Sequence, residues 1–241
     1  MFNDGDVQSL AATQYKTFIG SNKVIRGTAD AEMVRRVGER LTAAINKVYA
    51  DKGLTKELQG YQWEYNLVES KEVNAWCMPG GKIVVYSGLL PVTQTETALA
   101  IVMGHEIAHA LAKHGNERMS QEALQQMGGE ALNVAIANKT PAAQSLFMNA
   151  YGIGSTVGGT LPFSRKQELE ADHYGLIFAA MAGYNPEEAI PLWERMKKMA
   201  ANGQKPPEIL STHPTEDTRI EKLKEMMPEA LKYYKPANSK S

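Results

Sequence analysis

Apolar residues recur at three- and four-residue steps between Thr28 and about Ala50 (Val34, Val37, Leu41, Ala44, Ile45, Val48), and Gly53 stands beyond them as a stop. The spacing predicts an amphipathic helix. The period then changes: Tyr61 to Val68 is aromatic and β-branched, Val73 to Trp76 is short and apolar, and Lys82 to Tyr86 reads Lys-Ile-Val-Val-Tyr, with Pro79-Gly80-Gly81 as a turn. These runs predict a small antiparallel sheet. Past Pro91, Thr93 and Glu96 have capping-box spacing, Leu99, Val102 and Met103 carry an apolar run, and Gly115 follows it. A helix from about Gln94 to His114 is expected.

Residues 120–150 keep a helical pattern interrupted at Gly128-Gly129 and Thr140-Pro141, and Gly152 to Gly159 is a Gly-rich loop. Helices from about Ser164 to Ala182, from Asn185-Pro186 onward, and from about Asp217 to Tyr233 complete the chain, with Pro206-Pro207 before the last. The expected fold class is α+β, mostly α. Residues 1–27 read as an N-terminal segment and 28–241 as the core of a single domain. The basic run from Arg195 to Lys198 reads as a solvated helix face.

Composition narrows the chemistry. Lys plus Arg number 26 against 27 Asp plus Glu, so no basic excess exists to neutralise a phosphate backbone, and nucleic acid is not an expected partner. The single cysteine, Cys77, cannot build a thiolate-rich metal site, so any metal must be held by His and carboxylate. No stretch approaches the roughly 18 to 20 apolar residues of a membrane span, and the first residues lack the basic-then-apolar order of a signal peptide. A soluble chain is expected.

His105-Glu106-Ile107-Ala108-His109 falls inside the expected helix over 94–114. Four residues turn about 400° and rise about 6 Å, so both imidazoles lie on one face and can reach one ion, with zinc the natural guest. Glu106 lies about 100° around the helix, poorly aimed for ligation but able to lean over a water beside the ion as a general base. The bland alternative, two histidines satisfied in a core, fits poorly with a His–Glu interleaving on an Ala-, Ile- and Val-rich helix, where unpaired polar groups are costly.

Catalytic zinc usually takes a third protein ligand. The His-x-x-Gly-x-x-His extension fails, because Ala112 stands at its Gly position and Gly115 at its third His. Glu168-Leu169-Glu170-Ala171-Asp172 offers instead Glu168 as ligand and Asp172, one turn later, as an acceptor that orients a ligand histidine. Glu170, about 200° from Glu168, is expected to point into solvent. His114 and His173 are minor ligand candidates with ordinary surface or core roles as the alternative. His213, followed by Pro214 and with Arg219 six positions on, could steady a developing oxyanion together with that arginine, or His213 could take a fourth position on the metal.

These motifs, His105 to His109, Glu168-x-x-x-Asp172 after Ser164-Arg165, and His213-Pro214 with Arg219, resemble those of the HtpX and CAAX prenyl endopeptidase family of gluzincin metallopeptidases. Asn74-Ala75, Pro79-Gly80-Gly81 and Val84 to Leu90 resemble its soluble bacterial envelope branch, of the BepA and LoiP type. The resemblance implies one zinc per chain on His105, His109 and Glu168, a catalytic Glu106, a supporting Asp172, and His213 with Arg219 near the open coordination position. It implies export to the cell envelope or periplasm, often as a lipoprotein, and unfolded or misfolded protein substrates. Membrane association would need a segment outside this chain. An extended substrate is expected along the edge strand holding Asn74, Ala75 and Trp76, because strand addition tolerates varied sequences. A chaperone or assembly factor latched by His213, with clients gripped by Met-rich segments, is the rival reading; adaptable core filling is the alternative use of those methionines.

Overall fold

A computed structural model describes residues 3–126, 129–153, 162–201, 208–213 and 217–236. The strands are β1 (Val24–Ile25), β2 (Glu64–Val68), β3 (Ala75–Met78) and β4 (Lys82–Tyr86). Around them lie α1 (Asp4–Ser21), α2 (Ala29–Asp51), α3 (Leu90–Thr93), α4 (Glu96–Leu111), α5 (His114–Gln126), α6 (Gly129–Ala137), α7 (Pro141–Ala150), α8 (Arg165–Met181), α9 (Ala189–Ala201), α10 (Glu208–Thr212) and α11 (Asp217–Tyr233). The expected α+β class, mostly α, describes this architecture.

The sheet is mixed where an antiparallel one was expected. Its order is β1-β2-β4-β3, with β2 parallel to β4 and the other pairs antiparallel. β3 and β4 form the expected hairpin across Pro79-Gly80-Gly81, where both glycines take φ of 83°, a region open to glycine at no steric cost. β4, the most β-branched run and buried along its whole length, lies between β3 and β2, and β2 pairs with its far side in parallel. That central place explains its unbroken apolar pattern, since both faces are covered.

The sheet separates two cores. On one face Leu67, Ala75, Cys77, Ile83 and Val85 pack with α2, α4, α8, α9 and α11. On the other, Val68, Trp76, Met78, Val84 and Tyr86 pack with α1, α6 and α7. The helix α1 falls in the segment expected to be only an N-terminal extension; Val7, Leu10, Ala11 and Tyr15 give it a buried face at helical spacing.

Boundaries moved in informative ways. The strand expected at Val73 to Trp76 lies at Ala75–Met78, and that expected from Tyr61 begins at Glu64. Thr95, not Thr93, caps α4, accepting from Ala98 N, while the Thr93 hydroxyl bonds back to Leu90 O. That helix stops at Leu111 because Lys113 adopts φ 60°, and His114 begins a new helix. Arg195, expected on a solvated face, is half-buried and donates to Val92 O, Thr93 O and Glu188. The Gly-rich stretch from Gly154 on, Gly128 and Pro206-Pro207 lie outside the described residues.

Candidate metal centre

The helix α4 is buried around almost its whole circumference, from Ala98 to Ala110. A helix buried on all sides carries polar residues only where something satisfies them. α8 crosses it at the closest backbone approach, Gly104 against Gly175: a Cβ on Gly104 would lie 2.9 Å from Gly175 O, and one on Gly175 2.9 Å from His105 Cα. The crossing sets the first turns of α8, capped by the Ser164–Gln167 capping box, over the histidine face of α4. The chain after α10 then delivers His213.

His105, His109, Glu168 and His213 converge. All four are buried, and one donor atom from each lies within 4.8 Å of the other three. The separations are 3.0 Å for His105 Nε2 to His109 Nε2, 3.6 Å for His105 Nε2 to Glu168 Oε2, and 3.3 Å for His109 Nε2 to Glu168 Oε1. His213 Nδ1 stands 3.2 Å from His105 Nε2 and 2.8 Å from Glu168 Oε1. Donors on a tetrahedral zinc with bonds of about 2.0–2.1 Å are about 3.4 Å apart, so the spacing and the nitrogen–oxygen chemistry fit such an ion.

Behind the donors sit their holders. Asp172 Oδ1 is 3.0 Å from His105 Nδ1, which directs Nε2 of that ring inward. Arg219 binds both carboxylates, Nη1 to Glu168 Oε2 at 2.9 Å and Nε with Nη2 to Asp172 at 2.8 and 2.7 Å, and stacks 3.6 Å from the Trp193 ring centroid. Burial alone would raise the Glu168 pKa, but His213 and Arg219 outweigh it and hold the carboxyl well below its ordinary value. The same balance, with Arg219 and His105 as the opposing charges, lowers Asp172. His213 is shifted upward despite burial, by Glu168 and Glu106.

Glu106 is buried, and its Oε1 has no hydrogen-bond partner among the described residues; His213 Nε2, at 3.5 Å, is beyond a good bond. Burial raises its pKa. The helix that carries it packs against β3, where the Cys77 thiol is buried and shifted up, mainly by burial with a smaller contribution from Glu106.

Other expected residues fall as follows. Asn74 is buried just before β3, its Oδ1 accepting from Ala75 N; Ala75 and Trp76 lie in that edge strand, with Trp76 turned into the second core. Ile209 N of α10 donates to Val73 O, so α10 touches the start of the same edge. His173 is half-exposed, 3.9 Å from Glu229, and outside the cluster. His114 is not one of the four donors but stands against one of them: its Nδ1 lies 2.9 Å from His109 Nδ1. Glu170, though 41% exposed, reaches toward His114 Nε2 at 3.4 Å and so is not simply solvated. Sequence reasoning passed over Gly104 and Gly175, whose signal was a glycine inside each of two helical patterns. A cleft of about 210 Å³ adjoins Glu168 and Arg219, walled by Phe163, Leu169, Thr218 and Lys222. A larger cavity, about 390 Å³, lies between α1 and the loop at Tyr61 and holds none of the four donors.

Similarity to known proteins agrees with this geometry. The family model for peptidase family M48 matches residues 35–227. The chain is 38% identical over 172 residues to the mitochondrial metalloendopeptidase OMA1 of Schizosaccharomyces pombe, a match covering 70% of this chain and 48% of that one. It is 34% identical over 181 residues to the OMA1 metalloendopeptidase of Homo sapiens, covering 73% and 34%. It is 28% identical over 219 residues to the putative beta-barrel assembly-enhancing protease of Vibrio cholerae, covering 89% and 43%. The matched region is thus about half, or less, of each of these relatives. A family match over most of its length, on a chain whose histidine and carboxylate donors converge in one buried cluster, makes this protein a member of peptidase family M48.

Proposed function

We propose that the chain is a zinc-dependent metalloendopeptidase that hydrolyses peptide bonds in unfolded or misfolded proteins. The observation that carries this reading is the meeting of His105, His109, Glu168 and His213, with the buried Glu106 next in sequence to His105 and one of its oxygens unbonded among the described residues. His105, His109 and Glu168 would hold the ion, with Asp172 orienting His105. Zinc, when bound, supplies a Lewis acid that polarises the scissile carbonyl and acidifies water. Glu106 takes the proton from the attacking water and delivers it to the leaving amine; its burial-raised pKa suits a group that must both accept and return a proton.

Strand β3 is an edge of the sheet and packs against the helix that carries this carboxylate, which supports an extended substrate alongside Asn74, Ala75 and Trp76. The cleft walled by Phe163 and Leu169 would take a side chain next to the scissile bond. Arg219 is engaged with Glu168 and Asp172, which favours a holding role over an oxyanion-facing one.

His213 Nδ1 lies among the donors, which favours its role as a fourth ligand and so a closed site. That observation gives the second reading its support: an assembly factor that stays latched and cleaves little. Residence in the cell envelope is part of the proposal, resting on the motif resemblance to the envelope branch; the OMA1 relatives are mitochondrial, and no helix of the described residues is long and apolar enough to cross a membrane.

Cleavage of a casein-like unfolded protein tests both readings. Glu106→Gln should retain zinc and lose cleavage; turnover equal to wild type would overturn the assignment. His213→Ala should raise cleavage if the residue is a latch, whereas a fall would restore the oxyanion role.

A further inference from the structure

The two motif histidines are held from behind by different partners. Behind His105 stands a carboxylate, Asp172. Behind His109 stands a second imidazole: His114 Nδ1 is 2.9 Å from His109 Nδ1, with the rings edge-to-face at 75° and centroids 4.9 Å apart. His114 is 2% exposed, and its other nitrogen, Nε2, points at Glu170 Oε2 from 3.4 Å. Phe163 covers the other side of His109, its ring centroid 4.2 Å away.

The backbone makes a specific provision for this contact. On an unbroken helix, residues five apart are rotated by about 140°, so residue 114 would face away from His109. The chain does not continue that way. Lys113 takes the left-handed φ of 60°, uncommon for a side-chain-bearing residue, and its carbonyl accepts from the amides of Asn116 and Glu117 to open α5. The turn folds His114 back over the ring it follows by five positions.

We propose that His114 is a positioning residue for His109, accepting the hydrogen bond from its Nδ1–H so that Nε2 is left as a lone-pair donor toward the metal, with Glu170 steadying His114 from outside. This rests on the reading of His109 as a metal ligand. Proton accounting supports one direction only. If His109 Nε2 keeps its lone pair, the ring proton sits on Nδ1, His114 Nδ1 must be the acceptor, and the His114 proton sits on Nε2, facing a carboxylate oxygen. The reverse arrangement would set the His114 Nε2 lone pair against the Glu170 carboxylate, acceptor against acceptor, and aim a His109 N–H at the cluster.

Zinc affinity, measured by competition with a chromophoric chelator, separates this role from mere core filling. His114→Phe, which keeps an aromatic ring and loses the acceptor, should bind zinc about 10- to 100-fold more weakly. His114→Asn, whose Oδ1 can stand in for Nδ1, should recover most of that loss, and Glu170→Gln should show a smaller loss of the same sign. Should the Phe variant not fold, the Asn variant and ¹⁵N-histidine NMR of the zinc-loaded wild type still decide. The spectrum should show His109 protonated and His114 unprotonated at Nδ1. Wild-type affinity in His114→Phe, an Asn variant as weak as the Phe variant, or a proton on His114 Nδ1 would each overturn the proposal. Wild-type protein that takes up no zinc would instead overturn the metal reading, and this one with it.

Discussion

Arg219 joins the two buried carboxylates that the cluster depends on, one nitrogen on Glu168 and two on Asp172. Removing it leaves Asp172 buried without its main cation and takes from Glu168 one of its two, and breaking a buried pair from one side typically costs about 3–5 kcal/mol. Arg219→Ala should therefore unfold in urea with a stability lowered by about that amount, whereas Arg219→Lys, which keeps charge but not the planar fork, should recover only part of it. A loss under about 1 kcal/mol in Arg219→Ala would show that the pairing is energetically idle. At this scale the sequence was legible where helix geometry alone decides. His105 with His109, and Glu168 with Asp172, are one-turn neighbours, and their faces follow from 3.6 residues per turn. His114 was not legible, because its contact with His109 exists only through the left-handed turn at Lys113, and lysine gives no sign of that conformation.

Two helices position the cluster, and each is fixed by something local. The crossing of α4 and α8 depends on glycine at both contact points, where an added methyl would lie 2.9 Å from backbone atoms. Gly175→Ala should force the helices apart, costing about 1–3 kcal/mol as overpacking does and lowering zinc occupancy with it. A variant with unchanged melting temperature and full zinc content would contradict this role. The start of α4 is tied to α2 and to the turn before α9: Arg36 and Tyr184 both donate to Glu96, with Arg40 3.7 Å away. The Arg36 hydrogen bonds, against a partial burial penalty, lower the Glu96 pKa. A carboxylate whose folded pKa is depressed contributes stability above its unfolded value, about 4.3, and loses it as pH falls through the folded value. The melting temperature of Glu96→Gln should thus fall short of wild type at pH 6–7, and the gap should shrink as pH falls below the unfolded value of about 4.3 and close once pH passes the lowered folded value. A gap constant with pH would show that the carboxylate charge is not what anchors the helix. Helices and strands were readable here from period and caps. Strand order was not, because β4 takes the centre through burial on both faces, which is a property of the packed sheet and not of any one run.

Across the whole molecule, the sheet divides the half that holds the His and carboxylate cluster from a supporting half. The cluster sits in the core shared by α2, α4, α8, α9 and α11, while α1, α6 and α7 brace the opposite face. α1 belongs to that brace, and its five buried residues, Gln14 among them, show why a segment with mixed polarity still folds onto the sheet. Several of the twelve methionines, Met78, Met103, Met119, Met196 and Met227, are packed in these cores, in keeping with core filling and against their use as a client-gripping surface. The near balance of charge, 26 basic against 27 acidic residues, gives the surface no strong field, which suits varied protein substrates better than a polyanion.

The central proposal is that His105, His109 and Glu168 hold one zinc, with His213 as a fourth ligand that closes the site at rest. X-ray absorption at the zinc edge of the loaded protein tests it directly. The account predicts one zinc per chain, four nitrogen or oxygen ligands at about 2.0–2.1 Å, and imidazole scattering from three histidines that falls to two in His213→Ala. A sulfur shell at about 2.3 Å, implicating Cys77, or a spectrum unchanged in His105→Ala would contradict it.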